Sequence, residues 1–423
     1  MMAKSFYHRI TCRLCDSGNV ELVVPLNPIP LPDRYVTKDK LGQISEVYPV
    51  DLYMCRNCGH VQLLDVINPD ILWDNNFSYH SGRTKGLVEH FENIIEKIIH
   101  QYKPAANSLV VDVGSNDGSM LKCFQRRGFR VLGIDPVKDI AQKAIDAGVE
   151  TLPELLTPEL ARQIREKYGP AHIITAFNVF AHADDMAGMA ESIHQMLAPD
   201  GIFLFEVHYL LDLVDNMLLG TIFHEHLCHH SVKPMGQFLK RHGMELIDVE
   251  RVTIQRGSII GTAQRTGGPR PVLPSVAELL DLEKSRKLDQ PETIKGFASR
   301  LKKVREQAQG LIRQWKDQGA TIAAYGAARS GPTFIAQLGL GEAISCIFDN
   351  HPQKVHKYFP GHHIPVVPTE EIYKRMPDYV IILAWIHAKR IITENKKYLE
   401  QGGHFVVCWP DIEVIGVQEA VLL

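Results

Sequence analysis

An α/β protein in three parts is the fold class this sequence predicts, and three observations predict it. Two Cys-x-x-Cys pairs lie in a Pro-rich N-terminal stretch of short strand-like runs. From about Phe77 onward, helix-period and strand-like segments alternate, the pattern of a parallel sheet covered by helices. After Pro291 a long amphipathic stretch leads into a second strand–loop–helix unit. The expected parts are a small cysteine-built domain over 1–75, a central Rossmann-like domain over 76–296, and a second Rossmann-like α/β domain over 297–423.

The elements follow in order. GLVEHFENIIEKIIHQY (86–102) places apolar residues at helical spacing, and LVVDVGSNDG reads as a buried strand running into a loop. Strands are expected at RVLGID (130–135), HIITAFN (172–178) and GIFLFEV (201–207). The run 297–319 is one amphipathic helix ending at Gly319, and TIAAYGAARSGPTFIAQLG (321–339) repeats the strand–loop–helix pattern. Further strands are expected at 344–350, 379–383 and 404–409.

The bulk properties narrow the function classes. With 423 residues, 45% of them hydrophobic, the chain can bury more than one core. A net charge of -3 provides no global attraction to nucleic acid or anionic membrane, so neither is expected as a partner. No apolar run reaches the ~18–20 residues that span a bilayer. The opening MMAKSFYHRI lacks the features of a secretory signal, so a cytoplasmic location is expected.

Of eight cysteines, Cys123, Cys228, Cys346 and Cys408 are scattered, while Cys12 with Cys15 and Cys55 with Cys58 form pairs. In a reducing compartment such pairs bind metal more often than they form disulfides. A two-residue gap lets both thiolates of a knuckle face one ion, and two knuckles complete the tetrahedral sulfur set that zinc accepts. Turns at Ser17-Gly18 and Gly59 follow the knuckles. Four thiolates leave no open position, so this zinc is expected to be structural. Nucleic-acid binding, the rival use of such a ribbon, needs a basic face that RNCGH and its surroundings do not supply.

In Val110-Val111-Asp112-Val113-Gly114-Ser115-Asn116-Asp117-Gly118 a buried strand turns sharply into a helix. Gly114 and Gly118 permit backbone close to a ligand. The spacing does not fit Gly-x-Gly-x-x-Gly, which sets a pyrophosphate on a helix N-terminus. S-adenosylmethionine (SAM) has no phosphate, and Asp112 or Asp117 can meet its ammonium. Asp135 at the next strand end can accept hydrogen bonds from ribose hydroxyls, and Asn178, with Asn116 in the loop, completes the candidate cofactor set. A class I SAM-dependent methyltransferase domain is therefore expected, against an NAD-binding or ligand-free α/β domain.

Phe223-His224-Glu225-His226-Leu227-Cys228-His229-His230-Ser231 is the densest reactive cluster. Cys at position 228 breaks the His-Glu-x-x-His metalloprotease pattern. A second metal on His226 with His229 or His230, and a set of satisfied buried histidines, stand as alternatives. The functional reading is a general base, since imidazole titrates near neutrality and a neighbouring carboxylate can orient it. Tyr79-His80-Ser81 and His182 are candidates for the same cleft. In the C-terminal part, Gly326 lets backbone amides approach a diphosphate that Arg329 could neutralise, against a purely structural module. Asp349-Asn350-His351 closes the following strand, where it could touch a ribose or cap a helix.

Together, the paired cysteines, VVDVGSNDG, FNVFAH, TIFHEHL, YGAARSG and ILAW resemble the zinc-containing, SAM-dependent sugar C-3'-methyltransferases over nearly the whole length. That family acts on nucleotide-linked 4-keto-6-deoxy sugars. The resemblance implies a zinc domain, a SAM domain and a C-terminal α/β domain, with the sugar nucleotide between the last two. It makes Tyr79, His182, Glu225 and His226 the active-site candidates, with His226 first as base. Tyr325, Gly326, Arg329 and His224 become substrate-binding candidates, and a monomer is expected. The chain departs from the family at Phe223, where Tyr is frequent, and at Arg329, where the cation is displaced and changed from Lys. These departures leave the sugar and nucleotide open. The rival functions are SAM-dependent O- or N-methylation of another small molecule and a non-catalytic zinc-ribbon scaffold.

Overall fold

Each of the two compact units of the chain carries one large, mainly parallel sheet with antiparallel strands at one end. The computed structural model describes residues 5–42, 45–73, 80–84 and 86–420. One unit comprises Met1–Glu21, Tyr53–Leu213 and Glu225–Thr293; the other comprises Leu22–Leu52, Val214–His224 and Ile294–Leu423.

The first unit carries a seven-stranded sheet. Its order is Thr151–Leu152, Arg130–Ile134, Leu109–Val113, Ala171–Phe177, Leu197–His208, Ser258–Arg265 and Met244–Val252. Leu109–Val113 is buried at every position, as an apolar strand covered on both faces must be. The order reverses beside this strand, with Asp112 level with Gly133 on one side and Thr175 on the other. Open α/β sheets bind ligands at such a switch point. Gly114 and Asn178 therefore emerge at the same sheet edge.

The helix Leu87–Tyr102 buries Leu87, Phe91, Ile94, Ile95 and Ile98, the stripe its periodicity predicts. That stripe packs into a core containing Phe124, Ile173 and Leu204. The antiparallel pair Met244–Val252 and Ser258–Arg265 was not singled out by the sequence reading. At Gly261 a Cβ would meet the Phe205 ring at 2.2 Å, so this glycine lets the strands pack.

In the cysteine module, Phe6–His8 pairs antiparallel with Asp65–Ile67, and Val61–Leu63 pairs antiparallel with Cys228–His229. The histidine-rich segment is thereby stitched to the module's own strand.

The second unit has strand order Val366–Val367, Ile347–Phe348, Ile322–Tyr325, Tyr379–Ile382, His404–Val407 and Glu413–Ile415. In chain order this is the doubly wound 3-2-1-4-5-6 arrangement, with its last strand antiparallel. The expected strands at 344–350 and 404–409 are shorter than read, at Ile347–Phe348 and His404–Val407. Residues 22–52 belong to this unit. The Asn27 backbone N–H donates to Gln337 Oε1 at 2.8 Å, and the Asn27 backbone carbonyl accepts from Gln337 Nε2 at 2.7 Å.

The long helix runs Pro291–Asp317, starting six residues before the expected position because Pro291 suits a first helical turn. Gly319, at φ +74°, terminates it as anticipated. No helix among the described residues is long and apolar enough to cross a membrane.

Candidate functional site

The two cysteine knuckles fold alike. Cys12 N–H donates to Ser17 O at 2.9 Å and Asp16 N–H returns to Cys12 O at 2.9 Å. Cys55 N–H donates to His60 O at 2.8 Å and Gly59 N–H returns to Cys55 O at 2.9 Å. The positive φ that closes each turn falls on Asp16 (+56°) and Gly59 (+85°), so in the first knuckle Asp fills the role expected of the Ser17-Gly18 turn.

Cys12 and Cys58 sulfurs lie 3.7 Å apart, Cys15 and Cys55 sulfurs 3.5 Å, and all four fall within 4.8 Å of one another. Sulfurs bound to zinc at ~2.3 Å in a tetrahedron are separated by ~3.8 Å, so the set fits that ion. Among the described residues this is the one group of three or more metal-type side chains that converges. The alternative second metal on His226 with His229 or His230 has no such set.

At the switch point, Gly114 (φ +69°), Asn116 (φ +50°) and Gly118 (φ +73°) all adopt left-handed backbone. A Cβ at Gly114 would stand 2.3 Å from Val179 Cγ2. The loop acids are already engaged. Asp112 is buried and accepts from the Thr175 hydroxyl at 2.6 Å; burial pushes its carboxyl up to about 7. Asp117 accepts from the Ser119 N–H at 3.2 Å and the Gly82 N–H at 2.9 Å.

Asp135 receives the Asn116 N–H at 2.8 Å and the Val137 N–H at 2.9 Å, and burial raises its pKa. Its oxygens keep further lone pairs for a ligand. Asn116 Oδ1 accepts from the Ser81 N–H at 2.9 Å. Asn178, at φ +57°, donates Nδ2 to Glu206 Oε1 at 3.0 Å, which leaves its buried Oδ1 without a protein partner. His90 Nε2 lies 2.5 Å from the other oxygen of the fully buried Glu206.

The histidines divide into two classes. His224, His229 and His230 are buried, and desolvation lowers them to about 4, 3 and 4, so they are neutral in the fold. His224 Nε2 lies 3.2 Å from Tyr48 O. His226, His182 and His208 are half-buried instead. The His226 ring centroid is 5.1 Å from that of His182 and 4.9 Å from that of His208. Trp73 stacks on His182 at 5.4 Å with an interplanar angle of 7°. Glu225 is buried next to His226 in sequence. Tyr79 lies outside the described residues.

The sequence reading missed His208, Trp73, Glu206 and His90. Both His208 and Glu206 sit at the C-terminal end of the GIFLFEV strand, the edge where ligands bind, which was the available signal.

In the second unit, Gly326 (φ +88°) turns the chain after Ile322–Tyr325, and a Cβ there would meet Ala384 Cβ at 2.6 Å. Tyr325 is half-buried, which raises its pKa. Ala327 N–H donates to Asp349 Oδ2 at 2.7 Å, so Asp349 braces the turn. Ala327 O accepts from the Tyr35 hydroxyl and from Lys354 Nζ, each at 2.8 Å. Arg329 Nε lies 3.5 Å from Asp33 Oδ2, and its guanidinium is 5.9 Å from the Phe223 ring centroid.

Residues 12–73 match the family model described as "Putative zinc binding domain", 88–249 a "Methyltransferase domain", and 253–410 a "C-methyltransferase C-terminal domain". The C-methyltransferase NovU of Streptomyces niveus is 33% identical over 97% of this chain and 98% of its own length.

Among solved structures, the PH0226 protein of Pyrococcus horikoshii OT3 is 15% identical over 47% of this chain and 96% of its own, with a TM-score of 0.37. Magnesium protoporphyrin IX methyltransferase of Synechocystis PCC 6803 with bound SAH is 15% identical over 43% of this chain and 84% of its own, with a TM-score of 0.34. The near full-length match to NovU, the three consecutive family models and the converging cysteines agree: this chain belongs to the zinc-containing, SAM-dependent C-methyltransferases.

Proposed function

We propose that the enzyme methylates C3' of a nucleotide-linked 4-keto-6-deoxy sugar, in the cytoplasm and as a monomer, through an enolate of that sugar. The observation that carries this reading is the half-buried His226, flanked by His182 and His208, in the same unit as the Gly114–Gly118 loop.

A ketone at C4 acidifies the hydrogen on C3, because the electron pair left behind delocalises onto oxygen. His226 takes that proton, and Glu225 orients the ring. His182 donates toward the oxygen on which charge develops, and Tyr79 is assigned the same role. A positioned base contributes about 10²–10⁴-fold in rate, and one donor at a developing oxyanion about 3–4 kcal/mol. When bound, SAM would supply an electrophilic methyl group, transferred as its bond to sulfur breaks and S-adenosylhomocysteine leaves. Asp112, Gly114, Asn116, Asp117, Gly118, Asp135 and Asn178 would hold SAM: backbone fits closely at the glycines, Asp135 faces the ribose, and the buried Asn178 Oδ1 is an open acceptor.

Tyr325, Gly326, Arg329 and His224 are assigned to the sugar nucleotide. With His224 fully buried against Tyr48, direct contact falls to the other three.

The test is incubation with SAM and dTDP-, GDP-, CDP- or UDP-linked 4-keto-6-deoxyhexoses. One of them is expected to gain the mass of a CH₂ group, with NMR placing the methyl on C3'. A methyl found on oxygen or nitrogen, or no turnover with any of the four, overturns the proposal.

A further inference from the structure

We infer that Arg13, inside the first cysteine knuckle, is a positioning residue for the two active-site histidines and acts through Asp184 and Gln62. The inference rests on the reading that His226 and His182 handle the proton.

The Arg13 side chain is 0% exposed, so its charge must be met inside the protein. Its Nε donates to Asp184 Oδ1 at 2.9 Å. Its Nη1 donates to Gln62 Oε1 at 3.1 Å and to the carbonyl of Leu63, and its backbone N–H reaches the same Gln62 oxygen at 3.1 Å. The guanidinium is thus a rigid fork with two branches.

One branch leads to His182. Asp184 stands two residues beyond it and is also held by the Tyr7 hydroxyl and by Arg9 Nη1 at 3.4 Å. Arg9 Nη1 also donates to Asp184 O at 3.3 Å. Three side chains of the N-terminal segment therefore grip the loop that presents His182.

The other branch leads to His226. Gln62 and Leu63 lie in the strand Val61–Leu63, where Gln62 is level with Cys228, and Leu63 N–H donates to Leu227 O at 2.9 Å. Leu227 directly follows His226. A cross-tie closes the circuit, since Cys228 N–H donates to Ala181 O at 3.0 Å, next to His182.

The cysteine set is thus linked to the two imidazoles through backbone pairing and through the Arg13 fork, which joins the Asp184 carboxylate, the Gln62 amide oxygen and the Leu63 carbonyl. Displacing a catalytic group by about 1 Å can cost 10²-fold in rate, so such a frame affects turnover without touching substrate. The cysteine module, in this account, holds the spacing of His182 and His226.

The experiment uses the full-length, zinc-loaded enzyme with Asp184→Asn and Arg13→Gln, singly and combined. Asp184→Asn keeps the shape and removes the charge, and it guards against Arg13→Gln failing to fold. Zinc content by metal analysis and SAM affinity by calorimetry are expected to stay unchanged. The value of kcat should fall by about tenfold or more with KM for SAM unmoved. Without any substrate, the ring resonances of His182 and His226 in NMR spectra should shift. The loss in the double variant should be smaller than the product of the two single losses, because both variants break the Arg13–Asp184 contact.

Unmoved histidine resonances with normal kcat in Asp184→Asn overturn the inference, as do losses that merely track lost zinc. Normal turnover in His226→Ala instead overturns the functional reading on which it rests. A dead His226→Ala with silent histidine resonances in Asp184→Asn overturns the positioning role alone.

Discussion

At the scale of single residues, exposure divides the histidines into two groups. Burial makes His224, His229 and His230 neutral, while His226, His182 and His208 are half-buried. His226→Ala is expected to lower kcat by about 10²–10⁴-fold, with SAM affinity in calorimetry unchanged; near-normal turnover would remove His226 from the mechanism. His226, Glu225 and His182, the proposed catalytic residues, could be picked out in the sequence because each sits in a local motif. His208 and Trp73 were not, since a strand end and a short N-terminal helix bring them to the site from distant sequence. Phe223 and Arg329, the two departures from the family pattern, lie against each other. That pairing was invisible in the sequence because 106 positions separate them.

At the scale of elements, the loop after Leu109–Val113 is the most constrained piece of backbone. Gly114→Ala adds left-handed strain of about 1–3 kcal/mol to a clash with Val179. SAM affinity is expected to drop at least tenfold in calorimetry, and unchanged affinity would mean that the loop does not hold the cofactor. The loop was readable from its glycines; the engagement of Asp112, Asp117 and Asp135 in bracing it was not, because hydrogen-bond partners from three segments decide it.

The segment from His224 to His230 sets an acid limit. The folded-state pKa values of His224, His229 and His230 are depressed to about 4, 3 and 4, below an unfolded value near 6.5. The fold therefore binds fewer protons than the unfolded chain, and the stability present above pH ~6.5 is lost as pH falls toward ~4, at about 1.4 kcal/mol per pH unit for each group. Melting temperature should decline over that window. His229→Asn should make the decline shallower; an identical slope would show that His229 contributes nothing to it.

At the scale of the whole molecule, the chain order hides part of the assembly. The class of both sheets was legible from alternating apolar runs. The inclusion of residues 22–52 in the C-terminal unit was not, because short irregular strands such as Ile29–Pro30 carry no period to read. The cysteine pairs were legible from spacing alone, and their consequence lies in Val61–Leu63 pairing with Cys228–His229. Cys58→Ser, or zinc stripped by chelation, is expected to lower the melting temperature and to reduce kcat more than SAM affinity. Stoichiometric zinc retained by both Cys12→Ser and Cys58→Ser would contradict the four-thiolate site. The central claim is that His226 removes a carbon-bound proton next to a ketone, and isotope exchange tests it most directly. With the enzyme in deuterated water and a 4-keto-6-deoxy sugar nucleotide, deuterium should enter C3' in the wild type and not in His226→Ala. Equal incorporation by both, or none by the wild type with a sugar that it methylates, would contradict the account.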